Sequence, residues 1–308
     1  MKKIIYGIPG YEKLSQAIAT KLKAKIGQVE IRAFPDGERY LRFLNSLQGS
    51  DVAVVGGTVS DSALVDLYDF ASGAVSLGCH RISFVIPFFG YSTMERAVKP
   101  GEVVTAKNRA RLLSSVPKAP QGNRVFLLDL HSEGIPYYFE AGYLPEHIYA
   151  KSLVMEAARK VGGKNFILAS VDAGRAKWVE SLANELGVEA RFILKKRSSD
   201  RATSVMAVSG AVQGKKVVIY DDMIRTGGSL MSAARAYLEQ GALDVTAIAT
   251  HGLFPDDSLE KIKKSGTIRQ VICTDSHPRA RILEVSHRGF FKVISVASLL
   301  ASALKDHP

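Results

Sequence analysis

Apolar and polar residues follow one another in short blocks that switch between a strand-like and a helix-like period. Compact runs rich in β-branched, aromatic or leucyl residues predict strands at Ile4–Tyr6, Val29–Phe34, Val52–Val55, Ile82–Ile86 and Val125–Leu128. Apolar positions at helical spacing predict helices over roughly 11–25, 61–77 and 103–114, between some of those strands. A second half repeats the scheme. Its strands are predicted near Phe166–Val171, Ala190–Leu194, Val217–Tyr220, Val245–Thr250 and Val271–Thr274, and its helices near 148–160, 174–187, 227–240 and 257–265. Such alternation implies an α/β fold of mostly parallel sheets with helices on both faces and ligands at the carboxyl ends of strands. Gly142 and Pro145 punctuate the pattern and put a domain boundary around Tyr143–Tyr149, which separates 1–147 from 148–291. The halves share a pattern without evident sequence identity.

Composition narrows the class. At 308 residues the chain is too long for one compact α/β layer, and two domains of about 150 residues fit. Its 46% hydrophobic and 23% charged residues are those of a soluble globular protein. No apolar run approaches the roughly 18 residues of a membrane span, so no membrane partner is expected. MKKIIYGIPGYEKL lacks the long apolar stretch of a signal peptide, which leaves Ile4–Tyr6 as a first strand. The net charge of +11 raises the question of nucleic acid. The cations are spread along the whole chain, however, and no zinc-finger, RNP or basic-zipper pattern accompanies them. A field that draws in polyanionic nucleotides accounts for the charge, with no nucleic-acid partner. Cys79 and Cys273 lie far apart, in or beside apolar runs and without metal-ligand spacing; buried reduced thiols in a cytoplasmic protein are expected.

The most informative segment is KKVVIYDDMIRTGGSLMSAARAYLEQG, residues 215–241. Val217–Tyr220 reads as a buried strand that ends in Asp221 and Asp222, and Thr226, Gly227, Gly228 and Ser229 form a turn that opens a helix. Glycines let the backbone approach a phosphate, and free N–H groups with the helix dipole favour its charge. Thr226 and Ser229 add hydroxyl donors. Two carboxylates, acceptor-only when ionised, suit vicinal hydroxyls or a sugar–metal complex. Phosphate beside diol describes a ribose 5-phosphate. An ordinary strand–turn–helix with a Gly-rich connection is the plainer alternative, and two acids followed at short range by TGGS make it the weaker one.

Other segments carry chemistry too. Asp129 and His131, two apart after a buried strand, are expected on one side of the strand end as magnesium or water-mediated ligands, although a histidine there is more often structural. Asp172, Ala173 and Gly174, at a strand end opening a helix, form a second anion nest suited to a pyrophosphate. Arg96 and Lys99, past the end of the Ile82–Ile86 strand, are placed to meet a triphosphate; alone, such a pair is usually solvated surface. Phe34-Pro35-Asp36-Gly37-Glu38 is hairpin-turn chemistry. FILKKRSSDRATSVMAV, residues 192–208, breaks from a strand into a basic stretch without clear period and is expected to be a mobile loop.

Taken together, these motifs resemble the phosphoribosyl pyrophosphate synthetases (ribose-phosphate diphosphokinases) over essentially the whole chain, including ATHGLF at 249–254 and CTDSHP at 273–278. The resemblance implies two similar phosphoribosyltransferase-like domains, with 292–308 packing back on the first. It implies pyrophosphoryl transfer from ATP to ribose 5-phosphate, with Mg²⁺. Asp221, Asp222 and Thr226–Ser229 would take the sugar phosphate. Phe34, Asp36 and Glu38 would take adenine on a hairpin shared between subunits of a homo-oligomer, a dimer or hexamer. Arg96 and Lys99 would meet the triphosphate; Asp129, His131 and Glu140 would serve the metal; Lys195 and Arg197 would close over the phosphates. Ser92-Thr93-Met94-Glu95 replaces the commoner Ala-Arg-Gln-Asp, and PFF…MER…GEV.TA resembles better the plant-type second class. Arg175, Leu194 and Arg225 also depart from the family pattern, at positions usually held by Gly, Asp and an acid. Those departures are what a non-catalytic regulatory homologue would explain. A salvage phosphoribosyltransferase would leave the first 145 residues idle.

Overall fold

The computed structural model describes residues 2–197 and 204–306; the side chains of 195–206 lie outside the described set. In chain order the first elements are β1 (Lys3–Gly7), α1 (Glu12–Leu22), β2 (Lys25–Ile26), β3 (Val29–Ala33), β4 (Arg39–Phe43), β5 (Asp51–Val55), α2 (Asp61–Ser76), β6 (Arg81–Ile86), α3 (Thr105–Ser114), β7 (Asn123–Leu128) and β8 (Leu144–Ile148). Then come α4 (Lys151–Gly162), β9 (Phe166–Ala169), α5 (Ala176–Leu186), β10 (Glu189–Arg191), β11 (Ile193–Arg197), β12 (Ser204–Val208), β13 (Lys216–Ile224) and α6 (Gly228–Glu239). The last are β14 (Asp244–Gly252), α7 (Ser258–Lys264), β15 (Gln270–Thr274), α8 (Arg279–Ser286), β16 (Phe291–Ile294) and α9 (Ala297–Asp306). Contacts divide these into two compact units, residues 1–149 with 295–308, and 150–294.

The first unit is built on a six-stranded sheet in the order β2-β1-β5-β6-β7-β8, all parallel. Its interior strands are buried on both faces, as Ile4, Ile5, Val52–Val55, Ile82 and Val125–Leu128 show, and so they read as near-continuous apolar runs. β8 contains Pro145 and is an edge strand, where the missing N–H breaks no ladder. Helix α2 is capped by Ser60, whose side chain accepts from Ala63 N at 3.1 Å, with Asp61 favouring the positive end of the dipole. β3 and β4 leave the sheet as a separate antiparallel hairpin. It is anchored by Phe43, whose ring meets Tyr6 at 5.1 Å and Phe70 at 5.8 Å, and by the Arg39–Asp66 ion pair.

The second unit repeats the topology: β10-β9-β13-β14-β15-β16, again all parallel, with β11 and β12 as a separate antiparallel hairpin. In both units the hairpin lies between the second and third sheet strands in chain order. The core of the second unit gathers Ile167, Ile219, Ala247, Val271, Phe254 and Tyr237. Cys79 and Cys273 are buried in their respective units, and burial pushes the Cys79 thiol up to about 11 and that of Cys273 further.

Several elements differ from the sequence expectation. Val29–Phe34 is extended as expected but pairs only with β4, because strand propensity does not name a partner. Lys25–Ile26, at the end of a predicted helix, is a short strand beside β1. The stretch 192–208, expected as an irregular loop, has paired strands at both ends, from Ile193↔Val208 to Arg197↔Ser204; residues 198–203 lie outside the described set. The tail divides. β16 pairs with β15 in the second sheet, whereas α9 packs on α1 and β8 in the first unit, and Lys3 Nζ donates to Leu304 O at 2.6 Å.

An isolated two-stranded hairpin is marginal in water, so β3–β4 depends on its anchor. Phe43→Ala should cost ~2–3 kcal/mol, lowering the urea midpoint, and should expose the 34–38 turn to protease before the sheet unfolds. Uniform resistance at that turn would show that the anchor lies elsewhere.

Candidate functional site

In the second sheet the chain leaves β9 for β10 on one side and leaves β13 for β14 on the other. β9 and β13 are direct neighbours, paired from Phe166↔Lys216 to Ala169↔Ile219. Strand order therefore reverses between them, and it is outside the carboxyl ends of strands at such a reversal that open α/β sheets bind ligands. Both loops that the sequence marked as anion nests rim this point: Asp172–Gly174 after β9, and Arg225–Ser229 after β13.

β13 runs four residues past the predicted end at Tyr220, through both aspartates to Ile224. It does so because β14 is long enough to pair with it as far as Ile224↔Gly252. Asp221 and Asp222 are thus held in a strand. Asp222 is buried, Asp222 N donates to Asp221 Oδ1 at 3.0 Å, and the two carboxyl groups hydrogen-bond each other. Burial first, then the Asp222 charge, raise the Asp221 carboxyl to about 8, so it carries a proton at neutral pH. Arg225 and Thr226 are exposed. Gly227 has φ 77°, and a Cβ there would come within 2.4 Å of Ile262 Cδ1, so both backbone and packing require glycine. It caps α6, whose first residues Gly228 and Ser229 are exposed.

After β9, Asp172 Oδ1 accepts from Gly174 N at 2.9 Å, and Ser170 Oγ donates to Asp172 O at 2.6 Å. This nest therefore holds one of its own N–H groups with its own carboxylate. Arg175 follows in the same short turn, and its Nη2 lies 2.6 Å from Asp222 Oδ2. Arg175, which stood out in the sequence only as a departure from the family pattern, is thus paired with an aspartate of the neighbouring strand. Trp178, the chain's single tryptophan, stacks on buried Tyr220 at 4.9 Å, directly before the acid pair.

In the first unit, β7 ends at Leu128, and Asp129 turns into the left-handed region at φ 39°. Strand alternation therefore does not extend to His131: Asp129 is buried and His131 exposed. His147, which sequence reasoning passed over, fixes this corner. Its Nε2 accepts from Leu130 N at 2.9 Å, which requires that nitrogen to be unprotonated, and its ring lies 4.1 Å from that of Tyr149. Glu140 does not join Asp129 and His131 as a ready ligand set, because its Oε1 pairs with Arg111 Nε at 2.8 Å. Among the described residues no group of three or more His, Cys, Asp or Glu side chains is placed to hold a metal. The few donors here, the Asp129 carboxylate foremost, suit an ion carried largely by substrate phosphates and water, which is how Mg²⁺ is commonly bound, rather than a closed protein cage.

Arg96 is solvated, 3.4 Å from Glu95, and Lys99 is exposed in a loop whose Val98 and Lys99 N–H groups both donate to Glu102 Oε2. At the β3–β4 turn, Gly37 N donates to Phe34 O at 2.9 Å and Glu38 N to Asp36 Oδ1 at 3.0 Å. Phe34 is exposed, and the Arg32 guanidinium lies over both its ring, at 4.8 Å, and that of Tyr40, at 4.3 Å. Arg32 and Tyr40 are further residues at this tip that the sequence did not single out. Lys195 and Arg197 occupy β11, with side chains outside the described residues.

Two helix-flanked parallel sheets, one with an acid pair and a glycine turn at its reversal, define a phosphoribosyltransferase-like protein. Residues 4–116 match the model of the N-terminal domain of ribose phosphate pyrophosphokinase, and 167–307 that of the phosphoribosyl synthetase-associated domain. A ribose-phosphate pyrophosphokinase of Fusobacterium nucleatum is 31% identical over 306 residues, covering 98% of this chain and 93% of that one. Another, from Vibrio parahaemolyticus, is 33% identical over 95% of this chain and 92% of its own. The crystal structure of phosphoribosylpyrophosphate synthetase from Mycobacterium smegmatis superposes with a TM-score of 0.86 at 27% identity, covering 99% and 98% of the two chains. The chain belongs to the ribose-phosphate pyrophosphokinase family. No described helix is long and apolar enough to cross a membrane.

The acid pair sets a pH dependence. From 3.8 to about 8 the folded chain binds more protons at Asp221 than the unfolded chain does, so this group's contribution to stability falls as pH rises. His277 acts oppositely between about 4 and 6.5, because burial, His251 and Arg279 hold it neutral in the fold. The pair's net decline is therefore expected chiefly from 6.5 to about 8. Asp221→Asn should reduce the fall of Tm across that window by several degrees, at ~2–4 °C per kcal/mol for units of this size. An unaltered slope would place the proton elsewhere.

Proposed function

We propose that the protein is a ribose-phosphate diphosphokinase that transfers the pyrophosphoryl group of ATP to the C1 hydroxyl of ribose 5-phosphate, giving phosphoribosyl pyrophosphate and AMP. The observation that carries this reading is the pair of loops flanking the reversal between β9 and β13, within a chain that matches the family along nearly its full length. The C1 oxygen attacks the β-phosphorus, the bond from the β-phosphorus to the oxygen bridging it to the α-phosphorus breaks, AMP leaves with that oxygen, and the hydroxyl proton passes to solvent. Such a transfer needs positioning and charge neutralisation more than covalent help.

Thr226–Ser229 receive the 5-phosphate through backbone and hydroxyl donors, and Asp221 with Asp222 accept from the sugar hydroxyls. The Asp172–Gly174 turn takes the pyrophosphoryl end. Phe34, supported by Arg32 and Tyr40, offers a face to adenine, and Asp36 and Glu38 accept from its amino group. The exposure of that tip supports a site completed by a second copy of the chain, in a homo-oligomer. Arg96 and Lys99, both solvated, reach the triphosphate. Asp129 and His131 would hold Mg²⁺, which when bound neutralises phosphate charge; Glu140 is not assigned to it. Lys195 and Arg197 stabilise charge on the transferring group.

Incubation of the purified chain with ribose 5-phosphate, ATP and Mg²⁺ should release AMP in equal amount to phosphoribosyl pyrophosphate. Absence of AMP from folded protein would leave the regulatory homologue in its place. Lys195→Ala or Arg197→Ala should lower kcat by roughly a hundredfold or more with little change in KM, as expected for an interaction made only in the transition state. His131→Ala should shift the Mg²⁺ dependence upward; equal loss at every Mg²⁺ concentration, with a lower Tm, would mark a structural histidine instead.

A further inference from the structure

The two loops at the reversal are joined by one side chain. Arg175 is rooted in the turn that follows β9, yet its guanidinium lies on the carboxylate that ends the neighbouring strand, Nη2 to Asp222 Oδ2 at 2.6 Å. The carboxylate is buried and the guanidinium about a quarter exposed. In a pocket read as holding a sugar on one side and a pyrophosphoryl group on the other, this cation is bound to the sugar side while belonging to the phosphate side.

The competing partners are unequal. Asp222 is one carboxylate whose neighbour, Asp221, is raised to about 8 and so shares little negative charge at neutral pH. An arriving polyphosphate brings several negative oxygens in the geometry that guanidinium matches with paired hydrogen bonds. The turn is also prepared for the exchange. Asp172 already holds Gly174 N, so the turn keeps its shape whichever partner Arg175 takes.

We propose that Arg175 is a positioning residue that couples the two halves of the site: it neutralises Asp222 while the site is empty and transfers to the nucleotide's phosphates when they bind, freeing Asp222 to accept the sugar hydroxyls. Each ligand then strengthens the other, because the nucleotide removes the cation that competes with the diol, and the linkage is reciprocal. The proposal rests on the functional reading given above. It also gives the arginine at this position a task that glycine could not perform.

The test is the affinity for ribose 5-phosphate of the full chain with Mg²⁺, measured with and without α,β-methylene ATP, which cannot be cleaved at the reacting bond. Calorimetry gives the affinities, and Trp178 emission, beside Tyr220, follows the same site independently. In the wild type the nucleotide analogue should tighten ribose 5-phosphate binding by about tenfold, within the usual range for coupled sites. Arg175→Ala should bring that ratio close to one, and Arg175→Lys should restore part of it. In steady state the alanine variant should lose the dependence of the ribose 5-phosphate KM on ATP concentration, a change that a merely structural role would not produce. Should Arg175→Ala fail to fold, Arg175→Gln keeps a donor facing Asp222 without the charge and should show the same lost coupling. A ratio equal in wild type and alanine variant, or a wild-type ratio of one, overturns the proposal while leaving the enzyme reading intact. Failure of the wild type to bind ribose 5-phosphate under any condition overturns both.

Discussion

Parallel pairing is the constraint on which the rest of the molecule depends. Strands that run the same way cannot be joined by a tight turn, so each connection must cross a face of the sheet, and helices then cover both faces. Those crossovers dry the strands, which is why Val217–Tyr220 and Val245–Thr250 are buried almost without interruption. They also single out one place. Where successive crossovers depart in opposite directions, at the ends of β9 and β13, the Asp172–Gly174 and Arg225–Ser229 loops gather. The site is a consequence of the topology, and the side chains specialise it.

The first unit tests that statement, because it has the same reversal, between β1 and β5. There the place is occupied. Tyr11 is buried, and a Cβ at Gly57 would come within 2.2 Å of its hydroxyl; one at Gly90 would come within 2.1 Å of Thr58 O. Gly57 and Gly90 are thus used for close packing, whereas Gly228, in the second unit, has nothing within 4 Å of its missing Cβ. Asp61, at the start of α2, is bound by Tyr91 OH at 2.6 Å and Arg109 Nη2 at 3.0 Å. One topology therefore supports a packed reversal in one unit and a chemically equipped reversal in the other.

How much of this was legible in the sequence depended on the distance between the residues concerned. Strand and helix identity could be read wherever the period was sustained, as in Val125–Leu128 or 61–77, since burial on one or both faces imposes it locally. The glycine turn at Gly227 was legible for a similar reason: its conformation is a property of the residue. Edge features were not. Lys25–Ile26 is too short to show a period, Pro145 argues against a strand unless the strand is known to be an edge, and Arg279–Ser286 lacks a clear apolar stripe. Partnership between remote residues was the least legible of all. Arg175 stood out only as a departure, and nothing along the chain connects it to Asp222. That connection appears once β9 and β13 are neighbours. The left-handed turn at Asp129 is a similar case, since His147, which holds the next residue, comes from an adjacent strand.

Placing two adjacent carboxyl groups in a buried strand is electrostatically unfavourable unless something offsets it. Desolvation opposes both charges, and under the proposed function the ligand's own phosphate would oppose them again. Two features offset it, the raised proton affinity of Asp221 and the Arg175 guanidinium on Asp222. Both are exchangeable. A permanent apolar or metal-filled solution would stabilise the empty site equally well but would leave no acceptor for a diol. Acceptors held by a mobile proton and a long flexible cation can be released to hydroxyl donors without moving the strand that carries them. The instability is therefore confined to side chains whose partners can change, while β13 remains paired on both sides, with β9 up to Ile219 and with β14 to its end.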